Sequence, residues 1–471
     1  MPRRFLIPDV LAAVLCIALS GATRVDADEL LPEPIAAQAG LKRAWFAQIE
    51  VASGRGQVRD VILYEGALYV QTNGAMLHAL DAESGRKLWS QQIGRPEHPS
   101  MTPDAKGDWL AVVNGSRLYM VNRHTGVVIS EVEIKDAPGA GAAVSTKRVF
   151  VPTITGKVLG FRLPEGAASP TQKQESQQEG SATEASSAQP PSPQVPQPAA
   201  EEDRPRPKRE PTLFCQSYGR ALVQPLVTRD DMNGEYVCWP TDRGFLYFTR
   251  VEQGVTEILA LKFRLQTGGT IVARPAYLPP DPKVLGETGT VFAASYDGLV
   301  YAIDEERGTI LWRFSTGEPL RESPAVVELR VYIPTPRSGL YCLDAKSGKN
   351  HWLARGATKF VAAGKNHVFA VDRIGRLLVL DASNGRLLHV LPTESVAHKL
   401  ANSETDRIYL IGNKGSIQCF HEKDQTEPII HGKDRKPSRG AASGARPVEG
   451  TQRPTPDASR GGEPADEENP F

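Results

Sequence analysis

The stretch Tyr296–Trp312, YDGLVYAIDEERGTILW, decides the fold. A turn glycine, Gly298, opens the apolar run Leu299–Ile303. Asp304 ends that run, Gly308 follows four residues later, and Trp312 comes four after that. The same grammar returns in Asn73–Trp89 (NGAMLHALDAESGRKLW) and Ser338–Trp352 (SGLYCLDAKSGKNHW). A unit this short cannot bury its apolar side alone, so recurrence predicts stacking of like on like.

Working outward, turn glycines open successive units at Gly74, Gly115, Gly156, Gly244, Gly298, Gly339, Gly375 and Gly415. The first three are 41 residues apart and the last intervals are 54, 41, 36 and 40; the one long interval, 88, contains a polar insert. Short apolar strands between Gly, Asp and Asn turns, at a period near 40 residues, predict the blades of a β-propeller. The third strand of a unit ends at Asp81, Asn122, Asp304, Asp344 or Asp381, whose side chains can accept turn N–H groups. Gly85, Gly126, Gly308, Gly348 and Gly385 then stand where positive φ is needed. Trp89, Trp312 and Trp352 follow on the last strand, where a large aromatic suits packing between blades. These residues read as blade-building. Within the opening stretch only Glu305 and Glu306 vary between sister units, which predicts exposed turn residues.

Some units depart from the pattern. Ser130 stands at the Trp position of the second unit, His389 at that of the seventh, where it reads as a packed or half-exposed substitute. The third unit, Gly156–Glu165, breaks off before any Asp-Gly turn, and the eighth, Gly415–Asp424, lacks a last strand. Leu41–Val51 (LKRAWFAQIEV) is a strand with Trp45 and no unit before it. It predicts closure: the N-terminal strand completes the last blade, leaving no open seam. The chain therefore reads as an all-β, eight-bladed propeller of four-stranded antiparallel blades, with seven blades as the alternative count. Residues 28–163 supply the closing strand and three blades, and residues 212–421 supply the rest. Residues 164–211 form a Pro/Ser/Gln/Glu-rich insert and residues 422–471 a tail, both too poor in apolar residues to order themselves. The basic run Arg204–Glu210 in the insert reads as solvated linker.

Composition narrows the function classes. The 55 basic and 55 acidic residues balance, so no global field favours nucleic acid or an anionic membrane. Residues 1–27 carry MPRR, a short apolar segment and small residues, the pattern of a secretory signal peptide cleaved after Ala27, with Ala22 as the alternative. The apolar segment is short for a membrane span. Leu15 before Cys16 does not make a lipobox, and Phe471 follows no amphipathic strand of an outer-membrane barrel. The composition thus points to an exported periplasmic or envelope protein without an integral span. Of the remaining cysteines, Cys342 and Cys419 occupy equivalent strand positions and read as buried thiols. Cys215 and Cys238 are compatible with one bridge in an oxidising compartment. No HExxH, GxSxG, phosphate loop or CxxC is present. The nine His residues show no metal-ligand spacing, and Asp104, Asp230 and Asp231 read as solvated loop residues. No catalytic, cofactor or metal residue is assigned.

The units Ala79–Trp89, Ala302–Trp312 and Cys342–Trp352 resemble the PQQ-like propeller repeat, over roughly Leu41–His421 without the insert. That family includes quinoprotein dehydrogenases, which hold pyrroloquinoline quinone and calcium at the ring centre, and non-catalytic BamB-like propellers of outer-membrane protein assembly. The dehydrogenase class implies a vicinal Cys-Cys pair and a Glu/Asn/Asp calcium set; this chain has no Cys-Cys. The resemblance therefore implies a scaffold that binds protein partners in the envelope, outer-membrane assembly components among them, and no cofactor. The alternatives are a quinoprotein-like enzyme and an envelope ligand sensor.

Overall fold

The computed structural model describes residues 30–52, 56–164, 210–231, 234–254, 256–281 and 286–432. The signal peptide, nearly all of the insert and the chain from 433 onward lie outside these residues. Eight four-stranded antiparallel sheets form a ring. Blade 1 runs from the axis to the rim as Val58–Tyr64, Ala67–Thr72, Met76–Asp81 and Lys87–Gln92. Blades 2 to 7 occupy residues 104–133, 143–216 (interrupted by the insert), 226–266, 276–315, 325–354 and 357–391. Blade 8 is His398–Lys399, Ile408–Ile411 and Ser416–Glu422, and its fourth strand is Leu41–Gln48. Trp45 pairs with Cys419 and Gln48 with Ser416 across this seam. The ring is thus closed by its own N-terminus and has eight blades, not seven. Leu213–Gln216 pairs with Lys157–Arg162, so the insert departs between the third and fourth strands of blade 3.

The core is divided, not central. Eight apolar clusters occur, one in each junction between neighbouring blades. Second strands are covered on both faces, so Ala67–Thr72 and Trp109–Asn114 are buried throughout, and their sequences run apolar without alternation. On the fourth strand Lys87–Gln92, only Trp89 is buried.

That tryptophan explains the repeat motif. Trp89 donates from Nε1 to Arg123 O of blade 2 (2.8 Å), and its ring lies against Gly126. Trp45, Trp312 and Trp352 do the same to Ala82 O, Ala345 O and Ala382 O (3.0, 3.0 and 3.1 Å), against Gly85, Gly348 and Gly385. A Cβ on Gly348 would come 2.6 Å from Trp312 Cδ2, so the glycine serves both a positive φ of 69° and a close approach. The motif is therefore a lock between blades, and its two halves are lost together. Blade 2 has Ser130 and blade 3 lacks the glycine turn; blade 7 has His389, which is exposed, and blade 8 lacks it too. Phe263 takes the ring's place over Gly308, a substitution that the sequence pattern did not reveal.

Other contacts hold the junctions without a lock. Between blades 3 and 4, Arg148 pairs with Glu235, each side chain 3% exposed, and also with Glu257. Arg162 joins Glu257 at 2.7 Å. Burial opposes ionisation of Glu257, yet bonds from Arg148 and Arg162 hold its carboxyl below the usual range. Between blades 7 and 8, the residues before the closing strand form the helix Glu33–Gln38. Leu31, fully buried, exchanges bonds with Gln418: its N–H donates to Oε1 (3.0 Å) and its carbonyl accepts from Nε2 (3.2 Å).

The ordered chain also runs past the His421 boundary expected from the sequence. Glu422 ends a strand, and residues 423–432 fold back along blades 7 and 8. Arg407 donates to Gln425 O (3.1 Å) and Thr426 O (2.6 Å), and the His431 N–H donates to Glu404 O (2.8 Å). Burial pushes the Glu404 carboxyl up to about 7, aided by the nearby Glu65 charge. The native state therefore holds a proton that the unfolded chain releases near pH 4.5. This contribution is complete below that pH and is lost as pH rises through about 7, on the order of 1–3 kcal/mol. Glu404→Gln should remove that slope; denaturation of both proteins from pH 4 to 8 checks it, and parallel curves would refute it.

Cys215, Cys238, Cys342 and Cys419 are all buried free thiols. Cys215 lies in the cluster between blades 3 and 4 and Cys238 in that between blades 4 and 5, so no bridge joins them. Burial raises all four thiols above their usual range, which suits inert packing rather than nucleophilic chemistry.

Candidate functional site

The loops divide into two sets. Turns joining first to second and third to fourth strands lie on one face, here the lower. Second-to-third turns and the links between blades lie on the upper. The motif residues sit low. Asp81 and Asp344 each accept from a serine N–H and hydroxyl, at 2.8 and 2.6 Å from Ser84 and at 2.7 and 2.6 Å from Ser347. Asn122 and Asp381 accept from His124 and Ser383 N–H (3.0 and 2.8 Å). Asp304 accepts from Glu306 and Arg307 N–H (2.9 and 2.7 Å). With their acceptor atoms so engaged, they shape turns.

Three sequence readings change here. Glu305 is not an exposed turn residue: it is 1% exposed, accepts from Gly289 N–H (2.9 Å) and pairs with Arg229 of blade 4 (3.3 Å). Glu306 is held by Lys262 at 2.6 Å. Asp230 and Asp231 end the first strand of blade 4, and Asp230 is buried against Lys106 of blade 2 (3.0 Å). Asp104 begins the first strand of blade 2 and meets Arg274 of blade 5 at 3.5 Å. Blades 2 and 5 are not neighbours, so this pair spans the central channel.

The channel holds open space. A cavity of about 540 Å³ is lined from blades 4 to 8, by Arg274, Glu322, Pro324, Lys359, Phe360 and Lys399 among others. A second, of about 400 Å³, shares Lys359, Lys399 and Ala401 with it and reaches Asp60 and Arg373. Arg373 also borders a groove of about 380 Å³ on the upper face, with Arg337, Arg355 and Ile374. Among the described residues no three His, Cys, Asp or Glu side chains converge as metal ligands. The acidic groups of the channel are already engaged, Asp104 by Arg274 and Asp60 by the Thr102 hydroxyl (2.7 Å). This donor set does not fit a calcium-bound quinone.

The upper face over blades 3 and 4 carries a different feature. Tyr218, Ile154 and Leu222 are 62, 45 and 40% exposed. Tyr218 is braced by its N–H bond to Tyr247 Oη (2.8 Å) and packs edge-on to Phe245 at 5.9 Å. The Ala221 N–H bonds Thr153 O (3.3 Å), which joins the two loops that carry them, and Arg220 and Asp242, paired at 2.7 Å, add a charged pair beside Ala221. Rigid exposed apolar groups beside polar ones are the anatomy of a protein interface. Single apolar residues in irregular loops have no period, so this group was invisible in the sequence.

The family model described as outer membrane protein assembly factor BamB matches residues 44–194 and 296–426, more than half of the chain. The chain belongs to that family. The BamB of Moranella endobia (strain PCIT) is 21% identical over 369 residues, 75% of this chain and 82% of that protein. The crystal structure of BamB from Moraxella catarrhalis superposes with a TM-score of 0.55 at 13% identity, covering 81% of this chain and 97% of that one. The computationally designed Ika8 protein matches at 0.54 with 11% identity, over 80% of this chain and all of the other. At these identities the two structures bear on the fold alone, and a fold does not by itself specify a function. Membership of the BamB family is what the function must be argued from.

Proposed function

We propose that this chain is an exported, non-catalytic propeller that binds protein partners in the cell envelope during outer-membrane protein assembly. Family membership supports the process; the exposed Tyr218, Ile154 and Leu222 on a rigid upper face support the binding mode. A closed ring holds its loops at fixed spacing, so little ordering free energy is lost on docking. The engaged donors of the channel favour a scaffold over a quinoprotein enzyme, since cofactor chemistry needs a dedicated site.

The test is crosslinking in intact cell envelopes followed by mass spectrometry, with wild type beside Tyr218→Ala/Leu222→Asp. Outer-membrane assembly proteins should dominate the wild-type crosslinks and fall at least fivefold in the variant, while fractionation finds the chain in the periplasm or envelope. Unchanged crosslinks would move the interface elsewhere. Saturable binding of the quinone with calcium, accompanied by dye reduction, would make it an enzyme.

A further inference from the structure

Six cations gather where the channel opens on the upper face: Arg321, Arg337, Arg355 and Arg373 from the loops of blades 5 to 7, and Lys359 and Lys399 from the first strands of blades 7 and 8. Lys359 has a carboxylate partner, Glu322 at 3.6 Å. Among the described residues, the other five have none within 4.0 Å. Arg373 donates to Pro336 O (3.2 Å), Arg321 lies over the Tyr296 ring, and Lys399 donates to Val396 O. The nearby carboxylates are committed elsewhere or stand apart. Glu318 accepts from the Arg337 and Ser338 N–H groups (2.8 Å each). Asp372 holds Arg376 at 2.7 Å, and Glu394 is exposed. In a chain with no net charge, such a cluster makes a local positive field.

The surface beneath it is concave. The upper-face groove and the two channel cavities share lining residues and form one trough. It begins at Ile374, 61% exposed, beside Leu387 and Val390, passes Arg373, and ends between Lys359 and Lys399. We propose that this trough is a recognition site for an extended acidic segment of a partner protein, carboxylates toward the cations and an apolar residue on Ile374. A bilayer could touch the rim but could not enter the channel, where two of the cations lie, so the concave shape selects a chain over a lipid surface. The proposal rests on the protein-binding reading of the upper face and supplies the chemistry of one partner segment. It uses blades 5 to 8, apart from the apolar group on blades 3 and 4.

The probe is a fluorescent decaglutamate peptide, titrated against the full chain by anisotropy, with decalysine and phosphatidylglycerol vesicles as comparators. Decaglutamate should bind saturably and weaken with salt, as exposed charge pairs do, and decalysine should not bind. Arg337→Glu/Arg373→Glu alters only exposed loop residues and should weaken binding at least tenfold; Lys359→Glu/Lys399→Glu, provided that it melts like wild type, should weaken it similarly. Tyr218→Ala/Leu222→Asp should leave the peptide affinity unchanged while reducing envelope crosslinks, which separates failure of this proposal from failure of the scaffold reading. Absent saturation, an unchanged affinity in the arginine variant, or vesicle binding that depends on the same arginines without peptide binding would overturn it.

Discussion

Replacing Arg148 with alanine should destabilise the ring by about 3–5 kcal/mol, because it leaves a buried charge without its partner. Arg148 and Glu235 are almost fully enclosed, and the Ser145 hydroxyl also donates to Glu235. With the guanidinium gone, a carboxylate inside a blade junction must either remain charged at high cost or take up a proton. The loss falls where the aromatic lock is missing and where the insert interrupts blade 3. Arg148→Met/Glu235→Leu should recover most of the stability, since removing both charges also removes their desolvation cost. Urea denaturation of the three proteins checks this. Equal midpoints for wild type and Arg148→Ala would show that the pair contributes nothing net.

Trp312→Ala should cost a similar amount, about 3–5 kcal/mol for a large buried aromatic. Part of that is apolar burial between blades 5 and 6, and part is the orphaned Ala345 carbonyl. The sharper test is coupling to Gly348. In the wild-type background, Gly348→Ala meets both a φ of 69° and the Trp312 ring, 2.6 Å from the new Cβ. In the Trp312→Ala background the ring is gone, and only the left-handed backbone term remains, about 1–2 kcal/mol. The double mutant should therefore be more stable than the sum of the single losses predicts, by about 1 kcal/mol or more. Strict additivity would show that the two residues act independently.

Much of the architecture was legible because a repeat is compared with itself. Asp304, Gly308 and Trp312 stand out against Asp344, Gly348 and Trp352, and Trp45 without a unit before it called for closure of blade 8. What the comparison of units misassigned is equally specific. Glu305 differs from its counterparts, Ala82 and Ala345, and variation read as exposure. It varies because it answers Arg229, a residue of the preceding blade. Asp104 looked like a loop residue because the first strand of blade 2 has three residues, too brief to show alternation, and Asp230 and Asp231 looked so because they are polar residues at the very end of theirs. The upper-face group had no signal at all, since Ile154, Tyr218 and Leu222 lie in loops of unrelated sequence.

The sequence by itself determined the propeller architecture, the closing strand, the shape of the turns and the family, while the structure chose eight blades over seven. Each follows from local grammar that recurs at a fixed period, and period survives in one dimension. The tertiary structure alone decided that each of the four fourth-strand tryptophans locks the next blade, that Arg148 meets Glu235 87 positions away, and that Arg274 crosses the channel to Asp104. It also decided which loops share the upper face. These depend on pairs drawn from different units, where charge and shape need to match only the facing partner and nothing obliges the match to repeat.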